Sequence, residues 1–463
     1  MSAVIQTNTA SLATPPRKQP LAIGAGARAI AFDAHGDITL DTFLSQVRGL
    51  AATLPDARHA INLCDDRYRF LVAFCAVALR GQTTLLPSSR APAAIDCVQQ
   101  QHPGSYCLGD AASSPTPQRY VRIPDVLPHL DGPPPHIEGD ALVAIGFTSG
   151  STGLPKPNPK TWDGFLASTA QNLVALQDLW PPGATPHVVA TVPPQHMYGM
   201  ELSVLLPLLG GAAVHGARPF FPGDVAAALR DASQHRVLVT TPVHLRALVE
   251  SQVELPPLAA IVTATAPLSQ ALAAAAEARF GCEVREVFGS TETCVIARRR
   301  TAIEERWTPL PGVHVHPQPD GTLVHAAHLP TPVVLADLVE VGADGRFVLC
   351  GRQADLLEIA GKRASLGELT RCLLAIPGVE DGVVLQMDEC GAGDIVKGNG
   401  VRRIAALVVA PTVDEATIMH ALRDSIDPVF LPRRLQRVDA LPRNDTGKLP
   451  RAELLRLLQG VMQ

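Results

Sequence analysis

From Arg28 to Arg300, short apolar runs alternate with longer segments in which apolar residues recur at helical spacing. That alternation predicts an α/β fold, with β-α units packed around a largely parallel sheet. Candidate strands are Ala60–Leu63, Ala141–Phe147, Val188–Val192, Val237–Thr241, Ala260–Thr265 and Val284–Phe288. Candidate helices are Trp162–Leu179, Asp224–Ala232, Val243–Ser251 and Ser269–Phe280. Residues 113–140 are rich in proline, including Pro133, Pro134 and Pro135, and read as a surface connection leading to the strand near Ala141. The pattern shifts again after Gly351 to a shorter run of strands and helices. Two domains are therefore expected, residues 1–351 and 352–463, the second small and α+β. No repeat of fixed period is visible, which argues against a solenoid or propeller.

Length agrees with this division, because 463 residues exceed what one hydrophobic core usually organises. With 46% hydrophobic and 18% charged residues the chain can bury a core, and a net charge of -5 gives no support to nucleic-acid binding. The nine cysteines are scattered and form no C-x-x-C pair, so they read as reduced thiols in a cytoplasmic protein. The first twenty residues lack a sustained apolar stretch and read as a loose leader. Leu202 to Ala217 is apolar but broken by Pro207, Gly210, Gly211 and His215, too short to span a membrane.

The strongest chemical signal is the stretch from Phe147 to Lys156, a loop of small and hydroxylated residues directly after an apolar strand. Gly150 and Gly153 let the backbone turn its N–H groups inward. Thr148, Ser149, Ser151 and Thr152 can donate to phosphate oxygens, and Lys156 can add a cation. Composition alone would equally describe a flexible Gly/Ser loop, but an ordered strand precedes it. No Gly-Lys-Ser/Thr follows the glycines, so a P-loop NTPase is a poor fit. Gly24-Ala25-Gly26 lacks the rest of a dinucleotide fingerprint and reads as a turn.

This loop resembles that of the adenylate-forming superfamily: acyl-CoA synthetases, peptide-synthetase adenylation domains and luciferases. Four further stretches agree in order and spacing. They are Phe288-Gly289-Ser290-Thr291-Glu292, Asp337, Gly351-Arg352 and the loop from Pro442 to Lys448. The resemblance spans roughly residues 140 to 451 and implies ATP and Mg2+ as cofactors. By resemblance Phe288 and Gly289 border the adenine, Thr291 contacts the α-phosphate, and Glu292 holds the metal. Asp337 would accept the ribose hydroxyls, Arg352 would support ribose and phosphate, and Lys448 would be the catalytic lysine. Each has a plain alternative, such as a core phenylalanine, a solvated Thr-Glu pair, a strand-end turn or a solvated lysine.

The implied reaction joins a carboxylic acid to AMP and then passes the acyl group to a thiol, after the C-terminal domain rotates about a hinge. Ala354 and Glu358 depart from the residues that relatives commonly carry there. Gly361-Lys362-Arg363 and Glu368 match; the plain alternative is a helix entry capped by Gly361. The acid pocket is implied to lie among Pro194–Glu201, Thr265-Ala266-Pro267 and Phe288–Thr293. His196, which could also serve catalysis, and Tyr198 could bond a ring hydroxyl. Gly199, Thr265, Ala266, Pro267 and Ser290 would line the pocket, and Met197 and Met200 would supply an adaptable wall. The segment is similar to ligases that activate hydroxybenzoate-type acids in aryl polyene pathways, so a hydroxylated aryl acid is expected. The acceptor is expected to be a carrier-protein phosphopantetheine or coenzyme A. Other readings are a fatty-acid acyl-CoA ligase, an enzyme that stops at acyl-AMP, and a non-catalytic nucleotide-binding relative.

Overall fold

Two large sheets organise the chain up to about residue 310. A computed structural model describes residues 17–111, 116–149, 155–352, 356–359, 362–387, 403–444 and 447–459. The first sheet has six strands, with Leu142–Ser149 beside Thr83–Leu86 and then His59–Asn62, all parallel. Pro155–Thr161 closes its edge antiparallel to Leu142–Ser149. In the second sheet, of nine strands, the parallel centre is Ala213–His215, His187–Ala190, Arg236–Thr240, Ala260–Thr263 and Glu283–Ser290. Antiparallel strands flank that centre, including Cys294–Arg299 next to Glu283–Ser290.

Apolar residues on both faces of each sheet produce a layered stack. The largest core lies between the sheets: Ala60, Leu108 and Val143 from one and Val188, Val239 and Val262 from the other enclose the helices Arg67–Leu79 and Trp162–Leu176. The opposite face of the nine-stranded sheet, through Val189, Leu238, Ile261 and Val284, packs on the helices Pro222–Asp231, Pro242–Glu250 and Gln270–Phe280. Ile95 and Val98 of Pro92–Gln101 cover the outside of the six-stranded sheet.

Each predicted strand and helix is present, with shifted ends. The strand expected to finish at Phe147 runs on to Ser149. That expected to reach Thr265 stops at Thr263, just before Thr265 takes φ +83°. Two expectations need correction. Lys18–Pro20, read as part of a loose leader, pairs antiparallel with His136–Glu138, itself inside the proline-rich connection. The helix Leu366–Leu374 is capped by Ser365, whose hydroxyl accepts from the Glu368 amide at 3.0 Å, and not by Gly361.

After residue 356 the apolar clusters are separate from the earlier ones. Arg403–Val409 points Ile404, Ala406 and Val408 toward Leu366–Leu374 and Glu415–Ser425. The alternate residues Ala405 and Leu407 meet Leu454 and Leu458 of Arg451–Gln459. This is the two-residue period of a strand covered on both faces. No described helix is long and apolar enough to cross a membrane. Among the described residues the cysteines are free; Cys390 lies outside them.

Candidate active site

The carboxyl ends of parallel strands are where open α/β sheets bind ligands, and Thr148, Ser149 and Thr265 lie at or just beyond such ends. Leu142–Ser149 and Pro155–Thr161 form a hairpin in which Lys156 stands opposite Thr148 and Pro155 opposite Ser149. The residues on either side of the expected phosphate loop are thus paired in a two-stranded ladder. Asn158 stiffens that ladder by donating to the Gly146 carbonyl at 3.2 Å and the Lys156 carbonyl at 3.1 Å. Gly150, Ser151, Thr152 and Gly153 lie outside the described residues, as does the Ser149 side chain.

Gly146 joins three parts of the site. A Cβ on it would stand 2.7 Å from Thr291 Cγ2 and 3.4 Å from Met197 Cε. The strand feeding the phosphate loop, the Thr-Glu turn and the pocket helix Met197–Met200 therefore meet at one bare backbone position. Thr291 and Glu292 sit half-buried on the turn between Glu283–Ser290 and Cys294–Arg299. The turn is closed reciprocally. The Ser290 amide donates to Thr293 Oγ1 at 3.2 Å, and the Thr293 amide donates to Ser290 Oγ at 3.1 Å. A Cβ at Gly289 would run into the Cys294 carbonyl, so the hairpin needs glycine there. Phe288 is half-buried, its ring 5.4 Å from Trp307 and 6.1 Å from Phe347.

Asp337 lies directly opposite Arg352 across the antiparallel pair Asp337–Val341 and Phe347–Arg352. Two residues far apart in sequence are so brought side by side, although the Arg352 side chain is not among those described. Gly351 has φ +113°, and a Cβ there would meet the Ser365 side chain at 2.8 Å. Ala354 and Gly361, and the side chain of Glu358, fall outside the described residues.

In the pocket, His196 is half-buried at the head of Met197–Met200, and its carbonyl accepts from the Met200 amide at 2.7 Å. Gly199 crosses the Pro193 carbonyl too closely for a Cβ. Tyr198 is buried, and its hydroxyl faces the Val262 carbonyl at 2.8 Å and the Thr240 carbonyl at 3.2 Å. Burial pushes the phenol far above its ordinary pKa. The hydroxyl expected to reach a substrate is thus engaged by two strand carbonyls, and Tyr198 ties the helix Met197–Met200 to the sheet. Met200 is fully buried. Thr265 and Ala266 are half-buried and Pro267 exposed, at the end of Ala260–Thr263.

Lys448 is exposed, on a loop tied at its base. Its amide donates to Asn444 Oδ1 at 2.9 Å, and the Asn444 amide donates to the Lys448 carbonyl at 2.9 Å. Arg443 grips both oxygens of Asp381 at 2.7 and 2.9 Å and donates to the Gly447 carbonyl at 2.6 Å. Gly447 has φ +77°, and a Cβ built on it would come within 3.4 Å of Val243 Cγ2 on Pro242–Glu250. Gly447 thus lies near the helix that follows the strand end under Tyr198.

Sequence reasoning missed several buried polar groups behind the Thr-Glu turn. Lys160 Nζ donates to the Glu292 carbonyl at 2.7 Å. His328 Nε2 faces the Thr293 carbonyl at 2.6 Å. Glu201 accepts from Ser168 at 2.6 Å, Asn172 at 2.9 Å and the Val295 amide at 2.9 Å. Burial holds the Glu201 carboxyl above the usual carboxylate range, against those hydrogen bonds and the Lys160 charge. A lysine in a proline-rich strand carries no periodic signal, so only the fold identifies it. Glu292 offers a carboxylate suited to a hard cation, and no cluster of three metal-ligating side chains occurs among the described residues. That donor set fits a magnesium ion shared with nucleotide phosphates.

A phosphate-loop hairpin, a Thr-Glu turn and a pocket helix meeting at these strand ends define an adenylate-forming architecture. Residues 44–341 match the profile of the AMP-binding enzyme family. The 4-coumarate–CoA ligase of Rhodobacter capsulatus is 32% identical over 310 residues, 66% of this chain and 74% of that protein. Enterobactin synthase component E of Escherichia coli is 24% identical over 360 residues, 68% of this chain and 64% of its own. The o-succinylbenzoate CoA synthetase of Bacillus subtilis, in complex with its acyl-adenylate, superposes with a TM-score of 0.77 at 18% identity, covering 95% of this chain and 98% of that one. The chain belongs to the AMP-binding enzyme family and is an AMP-forming acid–thiol ligase.

Proposed function

We propose that the acid is a hydroxylated aryl acid, activated as its acyl-AMP and passed to the thiol of coenzyme A or of a carrier-protein phosphopantetheine. The observation that carries the reading is the meeting of Thr291 and Met197 on Gly146. It puts Thr291, read as the α-phosphate contact, and Met197, read as a pocket wall, beside the strand that leads toward the expected phosphate loop. Support for an aryl acid comes from relatives named 4-coumarate–CoA ligase and from the 3-hydroxybenzoate/4-hydroxybenzoate–CoA ligase of Thauera aromatica, 29% identical over 132 residues.

In this reading the carboxylate attacks the α-phosphorus of ATP, the bond to the β,γ-pyrophosphate breaks, and the mixed anhydride remains in the pocket. Two anions approach each other, so fixed positive charge and donors lower the barrier. Lys448 supplies the ammonium, Thr291 donates to the α-phosphate, and Thr148, Ser149 and the loop beyond hold the β- and γ-phosphates beside Lys156. Glu292 would hold the magnesium ion, which neutralises phosphate charge when bound. Asp337 accepts from the ribose, with Arg352 beside it, and Phe288 and Gly289 border the adenine. His196, Gly199, Thr265, Ala266, Pro267 and Ser290 line the acid pocket. Residues 352–463 then turn about Gly351 and withdraw Lys448, and a thiolate attacks the acyl carbon and expels AMP.

The test is pyrophosphate exchange across 4-hydroxybenzoate, 4-coumarate and octanoate, followed by loading of coenzyme A and a phosphopantetheinylated carrier protein. Hydroxylated aryl acids are expected to exchange fastest. A clear preference for octanoate overturns the aryl reading.

A further inference from the structure

We propose that Lys160, His328 and Glu201 form a buried brace that positions the Thr291–Glu292 turn for adenylation, so that these three are positioning residues of the enzyme. The proposal rests on the reading of that turn as the nucleotide and metal site, and it adds residues from outside the motifs that suggested it.

Geometry carries the inference. In the proposed reading the turn offers Thr291 and Glu292 to ligand, while three polar side chains hold the backbone of Glu292, Thr293 and Val295. Lys160 is 8% exposed, His328 7% and Glu201 2%. Burying a charge is unfavourable unless partners compensate it, and each of these groups points its polar atom at a backbone group of the same short segment. Each arrives from a different element. Lys160 sits at the far end of the strand that leaves the phosphate loop, and Glu201 opens the π-helical turn Glu201–Leu205 that continues the pocket helix. His328 precedes Val333–Leu335, which leads directly into Asp337. The brace thus links the backbone of the phosphate, acid and ribose parts to one turn. A carbonyl held by an ammonium and an amide held by a carboxylate cannot drift without leaving a buried charge unmatched. That is what fixes Glu292 for a metal and Thr291 for a phosphate oxygen.

The experiment compares Lys160→Met and His328→Gln with the wild-type protein by Mg·ATP titration calorimetry, pyrophosphate exchange and thermal unfolding. The wild type must bind Mg·ATP and exchange pyrophosphate; failure of both overturns the nucleotide-site reading itself, and the brace with it. Given an active wild type, Lys160→Met is expected to lower kcat for exchange roughly 10–100-fold, as loss of supporting contacts behind a metal ligand does. The Mg2+ concentration for half-maximal rate should rise while KM for the acid stays nearly constant. His328→Gln should shift the same two quantities in the same direction. Folded variants with wild-type kcat and Mg2+ requirement overturn the brace. So does activity lost only in proportion to folded protein, which is the mark of an ordinary core contact.

Discussion

The methyl group of Thr291 rests against Gly146, so closely that a Cβ on the glycine would stand 2.7 Å from Thr291 Cγ2. Gly146→Ala must push the turn or the strand aside. We expect a stability loss of roughly 1–3 kcal/mol from overpacking and a larger fractional loss in pyrophosphate exchange. Thermal unfolding and exchange measured on the same preparation check this. A variant as active as wild type would show that Thr291 has no tight positional requirement.

Lys448 is exposed, and its backbone shapes its loop through hydrogen bonds with Asn444. Lys448→Ala is therefore expected to leave stability within about 0.5 kcal/mol. Acyl-AMP formation should fall at least about 100-fold, the scale of one lost electrostatic contact to a developing charge. Hydroxamate trapping of the acyl-AMP reads the first half-reaction alone. Wild-type-like trapping would remove the lysine from the mechanism.

Tyr198 is engaged with Val262 and Thr240 beneath the pocket. Tyr198→Phe should cost about 1–2 kcal/mol by leaving strand-end carbonyls without their donor. The order of preference across aryl acids should not change. A reordered acid panel would mean that the hydroxyl reaches the substrate.

Burial lowers the pKa of His187 and His328, with backbone hydrogen bonds opposing it. A histidine with a depressed folded pKa binds its proton more readily in the unfolded chain, so its contribution is complete above the unfolded value of about 6.5. That contribution is lost as pH falls from there through the folded pKa. The stability curve should therefore decline on the acid side of neutrality, and His187→Gln should flatten the decline. Denaturant midpoints between pH 5 and 8 test this; an unchanged slope in the variant would refute it.

Much of the fold was legible because parallel strands buried on both faces are apolar runs and their covering helices are amphipathic. Arg67–Leu79 escaped notice for the opposite reason: nearly every residue in it is buried, so it shows no polar face. Pro155–Thr161 was not legible as a strand because prolines occupy positions 155, 157 and 159. They are tolerated because the strand is a sheet edge and an alternating residue need not donate to the ladder. Motif residues of the proposed nucleotide side each carry their own chemistry in the sequence, whereas Lys160, Glu201 and His328 mean little until the chain folds around them. The direction of Tyr198 was likewise invisible, since a tyrosine near a pocket can turn its hydroxyl toward ligand or toward sheet.

The alternating prolines beside the nucleotide site also bear on how the protein behaves in company. An open strand margin is a template on which another chain can add itself and propagate aggregation. Three imino residues in seven deny an incoming strand the donors it would need. The margin next to the phosphate hairpin can therefore stay accessible to small ligands while resisting recruitment of other polypeptides.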